Sequence, residues 1–170
     1  MKPWIAALLV LLVGPAMAQQ HQHRHAPYAG MEQRDIKALS EQEIADLRAG
    51  HGMGLALAAE LNGYPGPLHV LELADQLNLT VEQRQRVQRL YDAMKEEAVA
   101  AGEKLIASER ELDRGFAAHN MTVAHLSMLM VKIGERQGAV RAAHLKYHLA
   151  TTDILSPEQI QRYAELRGYH

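Results

Sequence analysis

Cysteine is absent from all 170 residues. No disulfide can staple this fold, which must hold by packing alone, and any metal would fall to His, Met and carboxylate rather than thiolate. There is no basic excess either: 18 Lys and Arg stand against 20 Asp and Glu, for a net charge of −2. That excludes a strongly basic nucleic-acid or lipid-binding face as the main theme. The longest apolar run, Trp4 to Val13, falls well short of the roughly 20 residues that cross a bilayer as a helix. No period-2 strand pattern occurs, so the expected class is all-α. A Ser-centred elbow, a Gly-rich phosphate loop and a His-Glu-x-x-His pair are all missing. The chain therefore reads as a binding protein, not an enzyme.

The amino terminus has the layout of an export signal. Lys2 precedes the apolar run, Gly14-Pro15 breaks it, and Ala16-Met17-Ala18 supplies a small-x-small cleavage site. Residues 1–18 are thus expected to be removed and the remainder to work as a soluble periplasmic protein. Residues 19–38 are polar and carry His21, His23 and His25, which suggests a mobile tail able to collect metal weakly. Residues 39–170 form a single helical domain.

Three segments announce helix starts in the same way. Ser40 precedes Glu43, Thr80 precedes Gln83 and Ser156 precedes Gln159, each by three residues, the capping-box spacing in which hydroxyl and later side chain satisfy orphan backbone donors. Pro157 occupies a first helical position, where its missing N–H costs nothing. The expected helices run from Ser40 to about Leu61, weakened by Gly50, Gly52 and Gly54; from Leu68 to about Leu77; from Thr80 to about Phe116; from about Met121 to Thr152; and from Pro157 to Arg167. Asn120 is the expected cap of the fourth. Val87, Met94, Ala101 and Ser108 recur every seven residues, interleaved with Tyr91, Ala98, Leu105 and Leu112. The facing seam reads Val123, Leu126, Met130, Ile133, Gln137, Val140, His144 and Tyr147. Two long helices joined by a short turn lie antiparallel.

The box Leu79-Thr80-Val81-Glu82-Gln83 matches the LTxxQ signature of the Spy/CpxP periplasmic stress proteins, and Leu155-Ser156-Pro157-Glu158-Gln159 resembles a second copy with Ser for Thr. The order of short helix, box, long hairpin, box and short helix over residues 68–167 is similar to that family too. The resemblance implies a homodimer shaped as a bent cradle, with no cofactor required. It also implies ATP-independent holdase activity toward unfolded envelope proteins, under envelope or heavy-metal stress. Relatives of the family include zinc-resistance-associated proteins and periplasmic sensors of cobalt–nickel resistance, and those sensors hold metal through histidines just before the hairpin and late on its second long helix. His69 matches the first place, although Leu73 stands where those sensors carry a second histidine, and His144 or His148 matches the other.

His144 and His148 also stand out from spacing alone. At i and i+4 they share a helix face and suit zinc, copper or nickel. Antiparallel pairing brings Asp92 and Glu96 nearest as carboxylates, with His69 in reach. The alternative is a hydrogen-bonded seam histidine beside a half-exposed one. His51 and Met53, between glycines, add ligand types without fixed geometry. Met128 is the methionine expected to face solvent and meet clients, while Met94 and Met130 fill the seam. The leading expectation is a holdase and the second a metal-binding or metal-sensing module. A third is a partner that docks on a membrane sensor kinase or anti-sigma factor.

Overall fold

The three capping boxes form as spaced. Each hydroxyl accepts from the backbone N–H three residues on, and each Glu or Gln reaches back to the N-cap N–H. In this computed structural model, which describes residues 27–169, the boxes open α1 (Glu41–Ala49), α4 (Val81–Ala117) and α6 (Pro157–Arg167). Between them lie the single-turn α2 (Leu57–Glu60), α3 (Pro67–Glu72) and the 30-residue α5 (Val123–Thr152). No strand occurs among the described residues. The export signal and His21, His23 and His25 lie outside them.

Several boundaries differ from expectation. The first helix stops at Ala49, because Gly50 adopts a left-handed φ of 70° and its N–H caps the preceding turn. The chain re-enters helix only at Leu57. Thr122, not Asn120, caps α5 by accepting from the His125 N–H at 3.2 Å; with two capping residues in one short loop, turn geometry makes the choice. Residues 27–38, assigned by composition to the tail, include Ile36, which is fully buried.

α4 and α5 form the antiparallel hairpin. Lys132–Glu111 at 2.7 Å and Lys146–Glu97 at 2.5 Å bridge it; they record its register more than they hold it, since exposed pairs contribute little. On α4, Val87, Met94, Ala98, Ala101, Leu105 and Ser108 are buried as the heptad requires. On α5 the seam is shifted: Met130 is 43 % exposed and Leu129 is 0 %. Gln137 is also exposed. α1 lies against α4 at Gly102, where a Cβ would meet the Leu47 carbonyl oxygen at 2.6 Å, so only glycine allows this approach.

Two apolar clusters result. One gathers Ile36, Leu47, Leu105, Ile106, Ile133 and Val140 around α1 and mid-hairpin. The other gathers Val70, Leu77, Val87, Leu155 and Tyr163 at the hairpin base. The base is also tied by polar groups. Gln83 Nε2 donates to the Ile154 carbonyl at 3.0 Å, and Gln159 Nε2 donates to the Leu77 carbonyl at 3.2 Å. The two amides also bond each other reciprocally, at 2.9 and 3.1 Å. Each motif glutamine therefore caps its own helix, grips the loop before the other, and holds its counterpart.

Candidate functional site

Between the two clusters the packing changes character. A cavity of about 440 Å³ opens there, walled by the Gly50–Gly54 loop, the start of α3, Met94 on α4, and His144 and His148 on α5. The i, i+4 spacing puts both imidazoles on the inward face, and both are buried, 3 % and 7 % exposed. The half-exposed state considered for His148 is thus corrected: the Tyr64–Pro67 segment crosses over its ring. Gly66 makes the crossing possible, since a Cβ there would sit 2.8 Å from Cε1 and 2.9 Å from Nε2 of His148.

His148 Nδ1 lies 2.7 Å from the Tyr64 carbonyl, an oxygen that can only accept. Nδ1 therefore carries a proton and donates it to that oxygen. His144 has no such anchor. Its Nε2 is buried without a hydrogen-bond partner, and burial first, then the neighbouring His148, holds its pKa below 6.5. A neutral imidazole that lines a cavity and has an unpartnered ring nitrogen is a metal-ligand donor in chemical type.

The carboxylate of the site is Glu60, not Asp92 or Glu96. Asp92 accepts from Gln88 one turn earlier on its own helix at 2.9 Å, and Glu96 is exposed. Glu60, from α2, is 7 % exposed. Its Oε1 accepts from the Tyr163 hydroxyl and, at 3.1 Å, from the Tyr169 hydroxyl, with Arg167 Nε at 3.6 Å. Its Oε2 has no hydrogen-bond partner and lies 3.6 Å from His148 Nδ1. Burial, then the bond to Glu60, pushes the Tyr163 phenol well above its usual pKa. One carboxylate oxygen is thus tied down and the other is buried without a hydrogen-bond partner. A short acidic residue before a breaker has no periodic partner in sequence, so Glu60 was not legible there.

His69 lines the same cavity from α3, with Nδ1 on Glu72 at 2.9 Å. His51 and Met53 line it from the loop, His51 held by Asp46 at 2.9 Å. Met53 has a φ of 44°, a strained value for a non-glycine residue. The structure therefore brings His69, His144 and His148 to one cavity and adds Glu60, His51 and Met53. Among the described residues, no group of three or more His, Cys, Asp or Glu is already arranged to hold a metal ion. The fit to a metal is in donor chemistry, not in a closed ligand set. Met128 lies elsewhere, 58 % exposed on the outer face of α5.

Residues 68–167 match the family model described as LTXXQ motif family protein. The chain belongs to the LTXXQ motif family. Leu79, Thr80 and Gln83 fit the LTxxQ pattern, Leu155, Ser156 and Gln159 resemble it with Ser for Thr, and the glutamine interlock joins the two boxes. The chain is a Spy/CpxP-type protein of a typically periplasmic family, and among the described residues no helix is long and apolar enough to cross a membrane. Neither a curated protein nor a solved structure matches it.

Proposed function

We propose that this protein is a metal-binding member of its family, taking up zinc, copper or nickel in the cavity between the two apolar clusters. The observation that carries the reading is His144 Nε2, a buried nitrogen without a partner on a ring held neutral by burial, beside a second buried histidine one turn along the helix. Leaving a buried polar atom unsatisfied costs about 1–3 kcal/mol, a cost that metal ligation would remove. His144 and His148 are the central donors. Glu60 Oε2, the Met53 thioether and the imidazoles of His51 and His69 are the candidates to complete the set. A metal held there would cross-link α5 to the 50–69 segment, so binding would stabilise the fold by linkage. Calorimetric titration of the purified chain with each metal should give near-stoichiometric binding for at least one. The His144→Ala/His148→Ala variant should lose it; binding that survives both substitutions would sink the assignment.

A second reading, an ATP-independent holdase, draws on the apolar side chains left in solvent: Leu57, Leu61 and Leu68 on the short segments, and Phe116 and Met128 toward the hairpin tip. Such side chains among charges can hold unfolded chains loosely. Light scattering of a denatured client diluted into chelator-containing buffer tests it. Suppression at near-equimolar protein would support the holdase; unchanged aggregation would leave metal binding as the sole proposal.

A further inference from the structure

The last turns of α4 carry a second face beside the hairpin seam. Glu109, Leu112, Asp113, Phe116 and Ala117 stand at helical spacing and share it. The segment before α1 crosses this face. Ile36 anchors the crossing, fully buried, and the Lys37 N–H donates to Asp113 Oδ1 at 3.1 Å. A cavity of about 360 Å³ remains beside it, walled by those helix residues and by Lys37. None of them takes part in the histidine cavity.

Glu109 is the anomaly of this cavity. It is only 7 % exposed, as buried as Glu60. Glu60 has two tyrosine hydroxyls and Arg167 around it. Glu109 has no hydrogen bond and no ion pair among the described residues. The basic groups of this region are engaged elsewhere: Lys37 on Asp113 at 3.4 Å, Arg110 on Asp35 at 3.1 Å and Lys132 on Glu111 at 2.7 Å. Burial alone raises the Glu109 pKa above the usual carboxylate value, so no cation of the chain offsets its loss of solvent. An ionised carboxylate taken out of water without a partner is costly. Leucine or alanine would fill the position without that cost. The fold itself makes no use of this charge.

We propose that the cavity binds a small organic cation, an ammonium group on an unbranched apolar chain. The ammonium donates to the Glu109 carboxylate, and the chain lies along Leu112 toward Phe116. Charge selects the cation, since Glu109 and Asp113 both repel an anion. The walls select its organic part. A bare divalent ion needs several oxygen ligands; here Asp113 is already bonded to Lys37, and Leu112, Phe116 and Ala117 present only carbon. The ammonium group of a lipid head would bring its phosphate up against both carboxylates, which disfavours it. Length fits as well. Glu109 and Phe116 are seven residues apart, about 10.5 Å along the helix, and Phe116 is 53 % exposed at the open end. A short alkyl chain covers that apolar floor while its head satisfies the buried charge. A cavity of this size is at the small end of those that hold organic ligands.

The probe is hexylammonium, titrated calorimetrically into the full chain in buffer with chelator, so that the histidine cavity stays free of metal. It should bind once per chain with Kd below about 1 mM and raise Tm. Hexanol keeps the tail without the charge and should bind at least ~10-fold more weakly. Methylammonium keeps the charge without the tail and should also bind at least ~10-fold more weakly. Glu109→Gln should lose at least ~10-fold for hexylammonium while unfolding no earlier than wild type, which separates a lost ligand contact from a damaged fold. Phe116→Ala, at an exposed position, should weaken hexylammonium and leave methylammonium unchanged. No saturable binding of hexylammonium up to about 10 mM would overturn the proposal. So would hexanol binding as tightly as hexylammonium, or an affinity indifferent to Glu109→Gln.

Discussion

Removing one motif glutamine should cost more than a helix cap. Gln159→Ala deletes the acceptor for the Ser156 N–H (2.9 Å), the donor to the Leu77 carbonyl (3.2 Å) and both bonds to Gln83. Gln83 keeps the Thr80 N–H and the Ile154 carbonyl, so the groups stranded are Ser156 N–H and the Leu77 carbonyl, both partly buried. A net hydrogen bond contributes about 1 kcal/mol and a stranded buried group costs about 1–3 kcal/mol. Solvent will reach these partly buried groups, so a loss of roughly 2–4 kcal/mol is expected. At about 2–4 °C per kcal/mol for a chain of this size, Tm should fall by roughly 4–16 °C. Urea denaturation of wild type, Gln83→Ala, Gln159→Ala and the double variant gives the coupling directly. The reciprocal pair is lost in either single variant and lost only once in the double. The two single costs should therefore exceed the double cost by about 1 kcal/mol. Additivity to within about 0.3 kcal/mol would refute the interlock and reduce each glutamine to a cap.

Three further outcomes follow from the same coordinates. Gly102→Ala should destabilise by about 1–3 kcal/mol in urea, even though alanine is the better helix former by about 1 kcal/mol, because its Cβ would meet a backbone oxygen; stabilisation would disprove the close α1–α4 approach. Gly66→Ala should displace the His148 ring and lower metal affinity at least ~10-fold with far-UV circular dichroism unchanged; calorimetric titration checks it, and undiminished affinity would remove His148 from the ligand set. For pH, the folded pKa of His144 lies below 6.5, so the unfolded chain takes up its proton first. The contribution is fully present above pH 6.5 and is lost as pH falls below it toward the folded value. In chelator, stability should drop on acidification through this window, and His144→Gln should flatten the slope; identical slopes would exclude His144 as the titrating group.

Legibility followed the range of the forces involved. Ser40 with Glu43, Thr80 with Gln83, Ser156 with Gln159, and Pro157 at a helix start could all be read from the chain, because capping acts within three residues and needs no distant partner. That His144 and His148 share one helix face was legible for the same reason, since helical spacing alone sets it; that His148 is buried was not. The choice of Leu129 over Met130 for the seam was not. α5 is apolar on two faces, and periodicity cannot say which one meets α4.

The sequence by itself determined an all-α chain without disulfides, the three capped starts, the hairpin and a pair of histidines one turn apart. Tertiary structure alone decided what those histidines face. Glu60 reaches them because Gly50 ends α1 and the glycine-rich loop turns α2 back across α5, while Tyr163 and Tyr169 from the far end of the chain clamp its other oxygen. These partners come from segments about 85 to 110 residues apart in sequence. No local propensity encodes such a meeting; it arises only when both apolar clusters close and trap the polar groups between them.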